Sequence, residues 1–149
     1  MRRTNFGQAT CPVARSLDEI GDWWTLLIVR DAFHGARRFS EFQRGLGLAK
    51  NILSARLRKM VADGILEMRP AADGGAHSDY HLTAKGLQLR VVLVALRQWG
   101  EDHLFDEGEP MTVMVDKSDG EPISRLRLTA KDGRALDPRD VEIKKGLAR

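Results

Sequence analysis

Basic and amide side chains are concentrated between residues 50 and 59. The basic ones are Lys50, Arg56, Arg58 and Lys59, and the small side chains among them are Asn51, Ser54 and Ala55. Arginine and asparagine can each form two hydrogen bonds to the edge of a purine base, and small side chains allow close approach to it. This combination of residue types could therefore contact a nucleic acid.

The spacing of apolar residues places these side chains on a helix. Leu53, Leu57, Met60 and Val61 recur at helical spacing between Lys50 and Asp63, and Gly64 follows as a stop signal. The opposite face carries Asn51, Ser54, Ala55, Arg58 and Lys59, flanked by Lys50 and Arg56. Because the major groove of B-form DNA accepts one α-helix, this segment is the predicted recognition helix.

A shorter helix is predicted just before it. Ser40 and Gln43 have the spacing of a capping box, and a turn with two glycines separates the two helices. Arg37 and Arg38 precede the shorter helix and are predicted to hold phosphates. The exposed amides of the helix start at Ser40 are predicted to do the same.

A β-hairpin is predicted after the recognition helix. Residues 65–69 and 78–82 have strand character, and Asp73-Gly74-Gly75 between them is a turn sequence. We expect Arg69 and His77 near the tip, where they would contact the DNA backbone or minor groove. The order helix, turn, helix, hairpin predicts a winged helix-turn-helix fold, mainly α with a β-hairpin wing, that binds double-stranded DNA.

The flanking helices predict a homodimer. One flanking helix begins at Pro12 and ends at Gly21, and a longer one runs from Ala84 to His103 with apolar residues on two sides. One side can pack on its own domain, and the other needs a partner, which a second copy of the chain would supply. The residues predicted for dimerisation are Val13, Leu17, Leu89, Val92, Leu93, Leu96 and Trp99. Alternatively, the C-terminal segment covers the second side.

The composition changes after residue 105. We predict a DNA-binding and dimerisation domain over residues 1–105, then a linker and a small C-terminal β appendage over residues 106–149. Within the appendage, residues 111–115 and 123–129 have strand character.

Cys11 is the single cysteine and directly precedes Pro12. At the predicted N-cap of the first helix, the partial positive charge would favour a thiolate, and Arg15 would add to it. Such a thiol could react with oxidants or electrophiles, and lacking a second cysteine it could bridge only to another subunit or a small thiol. The alternative is a small buried residue that packs the first helix.

Composition excludes several classes of protein. The net charge is +3, no apolar stretch is long enough to span a membrane, and no secretory leader is evident, so we expect a cytoplasmic protein. Cys11 and four scattered histidines have no spacing typical of nucleophilic catalysis, and no phosphate-binding glycine motif occurs. We therefore expect no enzyme activity, no cofactor and no metal.

Taken together, these segments resemble the HxlR-type family of bacterial winged-helix regulators over roughly residues 6–105. The matching stretches include Cys11-Pro12-Val13, Trp24-Thr25-Leu26-Leu27-Ile28, Gly35-Ala36-Arg37-Arg38-Phe39-Ser40-Glu41-Phe42, Leu53-Ser54-Ala55-Arg56-Leu57 and Tyr80-His81-Leu82-Thr83-Ala84-Lys85-Gly86. The resemblance implies a homodimer that binds an operator, expected to be an inverted repeat. It also implies that Cys11 occupies a position that some relatives use as a redox or electrophile sensor.

The chain departs from the family pattern at two places. Ala49 stands where many relatives carry a serine or similar cap, and the tail has Asp119-Gly120 and Asp132-Gly133 where some relatives have zinc-ribbon cysteines. Two alternatives stay open. A small-molecule effector could bind near Trp23, Trp24 and Trp99, or the winged helix could bind protein instead of DNA.

Overall fold

The computed structural model describes residues 5–144 and 146 and is mainly helical. Its elements are α1 (Pro12–Ile20), α2 (Trp23–Phe33), α3 (Phe39–Leu46), α4 (Lys50–Ala62), β1 (Leu66–Pro70), β2 (Ser78–Leu82), α5 (Ala84–Leu87), α6 (Leu89–His103) and a 3-10 turn, Pro138–Asp140. The predicted helix over residues 84–103 is interrupted at Gln88 and forms α5 and α6. The predicted combination of helices and one hairpin is confirmed.

The core forms where α2 meets α3, α4 and the hairpin. Ile28 and Val29 of α2 are fully buried, together with Phe42 of α3 and Leu53 and Leu57 of α4. Burying side chains of this size contributes about 1.5–3 kcal/mol each, so these residues fix how α4 packs. The core is one cluster, in which α2 contacts α3, α4 and β2.

The start of α2 is set by a polar cap. The Asp22 carboxylate accepts hydrogen bonds from the Thr25 amide at 2.9 Å and from the Thr25 hydroxyl at 2.7 Å. Such a cap satisfies amides that have no partner within the helix. Trp23, in the first turn, is 71% exposed, whereas Trp24 is partly buried against the core.

The hairpin is antiparallel, and Thr83 joins its end to the helices. Leu66 pairs with Leu82 at the base of the hairpin, and Pro70 pairs with Ser78 near its tip. The Thr83 amide donates to the Ile65 carbonyl at 3.1 Å, and the Thr83 hydroxyl accepts from the Gly86 amide at 3.1 Å. The Thr83 side chain therefore caps the start of α5.

A second compact unit begins at Val94, within α6, whereas the sequence suggested a boundary at residue 105. In the described part of its tail, residues 106–144 and 146, two isolated antiparallel bridges replace the expected strands, joining Val115 to Pro122 and Thr129 to Ala135. The buried Gln98 side chain donates to the Ser124 carbonyl at 3.1 Å and accepts from the Leu126 amide at 2.8 Å. These contacts occupy backbone groups that a longer strand ladder would use.

No helix in the described ranges is both long enough and apolar enough to cross a membrane.

We predict that Gly86→Ala destabilises the protein by about 1–3 kcal/mol, because a Cβ at this position would lie 2.2 Å from the Ile65 carbonyl oxygen. Gly100→Ala is the matched control. Its Cβ would meet only Leu104 Cδ1 at 3.9 Å, so we expect a gain of about 0.5–1 kcal/mol from helix propensity. Urea unfolding of the two variants measures both values. Equal effects of the two substitutions would contradict the packing of Gly86 against Ile65.

Candidate nucleic-acid interface

One face of α4 is buried and the opposite face is exposed. Leu53, Leu57 and Met60 are fully buried, whereas Asn51, Ala55 and Arg58 are exposed and recur at helical spacing. We call these three exposed residues the outer row. Ser54, which the sequence placed on the same face, is half-buried at its edge. The outer row therefore offers an amide, a methyl group and a guanidinium to a binding partner.

Two predicted contact residues of α4 are engaged within the fold. Arg56 Nη1 lies 3.3 Å from Asp22 Oδ2, so it pairs with the residue that caps α2. Lys59 pairs with Asp63, and its Nζ lies 3.5 Å from the Glu19 carbonyl oxygen. Within residues 5–144 and 146, Lys50 and Arg58 have no acidic partner. The structure thus divides the predicted basic cluster into two paired and two unpaired residues.

The start of α3 differs from the expected capping box. The helix begins at Phe39, so Ser40 lies exposed within the first turn and is not the cap. The Glu41 carboxylate instead accepts the amide hydrogens of Arg37 at 2.7 Å and Arg38 at 3.0 Å, which lowers the pKa of Glu41. A carboxylate that accepts two amides outcompetes a hydroxyl that accepts one, because charge-assisted hydrogen bonds are stronger. The prediction of Ser40 as the cap was wrong.

Arg37 and Arg38, both predicted to hold phosphates, make contacts within the domain. Arg37 Nη1 donates to the carbonyl oxygens of Ala32 at 2.7 Å and Ala36 at 2.8 Å, which satisfies the end of α2. Arg38 pairs with Asp73 in the hairpin turn, and its Nε lies 3.6 Å from Asp79 Oδ1. No local pattern in the sequence could identify these acidic partners, because Arg38 and Asp73 are 35 residues apart.

The hairpin tip is a tight turn with a charged anchor. Gly74 has a φ of 74°, a conformation that glycine adopts without strain. Asp73 accepts the Gly75 amide at 2.9 Å, and this bond, followed by the Arg38 side chain, lowers the pKa of Asp73. His77 is exposed beside the turn, whereas Arg69 on β1 pairs with Glu67. Of the two predicted wing contacts, Arg69 therefore has an acidic partner of its own.

The sequence of this chain is similar to those of a known protein family. The sequence profile of the HxlR-like helix-turn-helix family matches residues 19–107, more than half of the chain. The chain belongs to the HxlR-like helix-turn-helix family. Two similar proteins, from Mycobacterium bovis and Mycobacterium tuberculosis, are named HTH-type transcriptional regulators and are 41% identical over 100 residues. The match covers 66% of this chain and 63% of each relative, so it spans less than two thirds of their length.

Solved structures extend the comparison to the fold. PA1607, provisionally assigned as a transcription factor, is 50% identical, has a TM-score of 0.91, and the match covers 96% of this chain and 100% of PA1607. The redox regulator HypR in its reduced form is 29% identical, with a TM-score of 0.58 over 63% of this chain and 94% of HypR. The fold is therefore the winged helix of HxlR-like regulators, a family of transcriptional regulators and not of enzymes.

The thiol of this HxlR-like chain is accessible. Cys11 is the exposed N-cap of α1 in extended conformation, and Pro12 occupies the first turn as predicted. Arg15, expected to act on the thiol, instead donates from Nε to the Ala9 carbonyl at 2.5 Å. The structure places Cys11 on the surface and not in the core.

The residues predicted for dimerisation fall into two groups. Val13 and Leu17 of α1 are exposed, as are Val92, Leu96 and Trp99 of α6. By contrast, Leu89 and Leu93 are partly buried against the core of their own chain. Exposed apolar side chains therefore occur on both helices, and two of the seven predicted residues pack against the core of their own chain.

Proposed function

We propose that this chain is a homodimeric transcriptional regulator that binds double-stranded DNA in a sequence-specific manner through α4. This proposal is based on the outer row of α4. α4 is backed by fully buried leucines, so it is rigid, and it presents Asn51, Ala55 and Arg58 without competing partners in the described ranges. A rigid helix with free donors on its exposed face has the properties that readout in the major groove requires.

Each residue of the interface then has a separate role. Asn51 is suited to bidentate pairing with adenine, and Arg58 to bidentate pairing with guanine. Ala55 lies between them and allows close approach. Lys50, exposed at the start of α4, would contact a phosphate, and so would the exposed Ser40. Arg56 orients α4 through its ion pair with Asp22, and Lys59 does so through its contact with the Glu19 carbonyl oxygen.

The alternative of a protein-binding winged helix is less well supported. That function favours an apolar or acidic face on α4. The outer row has no acidic residue, and Arg58 has no acidic neighbour among the described residues.

We expect Arg58→Ala to weaken binding to the preferred site by about 1–3 kcal/mol and to relax preference at one base pair, because a bidentate contact is lost. Arg44→Ala is the control, since Arg44 is an exposed arginine on α3 outside the outer row. It should alter affinity by a similar factor for all sequences, if at all. Titration of duplexes that differ at single positions measures both properties. If Arg58→Ala leaves the preference among base pairs unchanged, Arg58 of α4 does not take part in sequence recognition.

Dimerisation is proposed from the exposed apolar residues of α1 and α6. Leu17 is 56% exposed and Leu96 is 51% exposed, and single chains rarely leave several such side chains in water. A second copy of the chain is the simplest partner, and a two-fold axis would place two α4 helices on the two halves of an inverted repeat.

We expect Val92→Glu combined with Leu96→Glu to give monomers that bind DNA weakly, because two carboxylates would be buried in the interface. Sedimentation velocity measures the oligomeric state. Val113→Glu is the control, as Val113 is an apolar residue of the tail that, at 65% exposed, is more accessible than Val92 or Leu96. If Val113→Glu gives monomers and the α6 variant stays dimeric, the interface lies in the tail.

Control through Cys11 is proposed on its exposure at a helix start and on the similarity to HypR, which is described as a redox regulator. Modification by an oxidant or electrophile would add bulk or charge beside α1. The second candidate is a small-molecule effector near Trp23, which is exposed and lies edge-on to Trp24.

We expect Cys11→Ser to bind DNA like the unmodified protein and to lose any response of DNA affinity to oxidants, because no other cysteine is present. Binding is measured before and after diamide or peroxide treatment. An oxidant response retained in Cys11→Ser would exclude the thiol as the sensor.

A further inference from the structure

Three polar contacts of Arg37 and Arg38 attach the hairpin to the start of α3. Arg38 pairs through Nη2 with Asp73 at the tip, and its Nε lies 3.6 Å from Asp79 Oδ1 on β2. The backbone adds a third contact, since the Tyr80 amide donates to the Arg37 carbonyl at 2.7 Å. A single guanidinium therefore spans one acidic residue in the turn and one on β2.

Asp79 requires this cation. Its side chain is only 10% exposed, and Oδ1 accepts no hydrogen bond within the described ranges. Arg38 is the only basic side chain of the described residues that forms an ion pair with it. A buried carboxylate without a counter-charge is strongly destabilising, so the Arg38 guanidinium is held at this position.

Asp73 provides the second anchor. It accepts the Gly75 amide at 2.9 Å and also binds Arg38, and these contacts lower the pKa of Asp73, while Asp73 raises the pKa of Arg38. Both groups therefore remain charged across the neutral pH range. The ion pair is therefore present in the free protein.

We propose that Arg38 is a positioning residue that fixes the wing against α3 by bridging Asp73 and Asp79, and that it is not a phosphate contact. For its effect on DNA the proposal rests on the proposed function, whereas the bridge itself belongs to the free protein. Releasing Arg38 to a phosphate would leave Asp79 buried without a partner. The bridge instead sets the position of His77 before DNA binds, which lowers the entropic cost of docking the wing.

The first test uses the free protein and Asp73→Asn. Asparagine keeps an oxygen for the Gly75 amide but lacks the charge that holds Arg38, so the turn remains and the ion pair is lost. Asp132→Asn is the matched control, because Asp132 accepts the Arg134 amide at 3.0 Å in a similar exposed turn of the tail. Hydrogen exchange is followed at the amides of Ala71, Tyr80 and, as an internal reference, Ile65.

We expect Asp73→Asn to speed exchange several-fold at Ala71 and Tyr80, whose amides bond to His77 and Arg37, and to leave Ile65, bonded to Met60, unchanged. Asp132→Asn should leave all three unchanged. Unaltered exchange at Ala71 and Tyr80 in Asp73→Asn would overturn the proposal.

The second test separates positioning from phosphate contact through salt dependence. Each phosphate contact contributes about 0.9 to the slope of log K against log salt concentration. Arg38→Gln is combined with Asp79→Asn so that no unpaired carboxylate is left buried, and Lys50→Gln serves as the phosphate-contact control. We expect the double variant to bind the selected duplex several-fold more weakly with an unchanged slope, and Lys50→Gln to lower the slope by about 0.9.

A slope that falls by about 0.9 in the double variant would make Arg38 a phosphate contact and overturn the proposal. If the wild-type protein selects no DNA sequence, the proposed function fails. The hydrogen-exchange result then still decides whether Arg38 fixes the wing.

Discussion

α4 must bury one face completely while it keeps the other free, and the rest of the first unit is arranged around this constraint. Leu53, Leu57 and Met60 fill the core beside Ile28 and Val29 of α2, and they leave almost no freedom to rotate the helix about its axis. A rotation of one residue would carry the outer row toward the core and bury a guanidinium, which is costly without a partner. Core packing therefore determines which side chains α4 offers to a binding partner.

Ion pairs add to core packing in fixing the positions of the helices and the hairpin. Asp22 both caps α2 and pairs with Arg56, so the start of one helix holds the middle of another. Glu41 caps α3, and Arg38 links that same helix start to the hairpin. These pairs are partly exposed, and each one contributes little to the free energy of unfolding. Their effect is geometric, because they place α4 relative to α2 and the wing relative to α3.

Much of the fold could be predicted from local patterns in the sequence. Helical spacing of apolar residues identified α4, and strand character around a glycine-containing turn identified the hairpin. The same patterns failed where a more distant or stronger partner decided the outcome. Glu41 displaced Ser40 as the cap of α3, and Gln98 bonded to the tail backbone where longer strands were expected.

The candidate site was harder to predict than the fold. Sequence spacing could show that residues 50–59 form a basic helix face, but it could not show which basic residues are neutralised. Arg56 and Arg38 pair with acidic residues more than 30 positions away, and such pairs exist only once the chain has folded. The structure therefore concentrates the proposed readout on Asn51, Ala55 and Arg58.

Sequence-specific recognition through α4 is tested by letting the purified protein select duplex fragments from the source organism's genome at about 150 mM salt, where nonspecific binding is weakened. We expect enrichment of an inverted repeat whose half-sites lie about one or two helical turns apart. Binding that is equal for all fragments and disappears as salt rises would contradict sequence-specific recognition through α4.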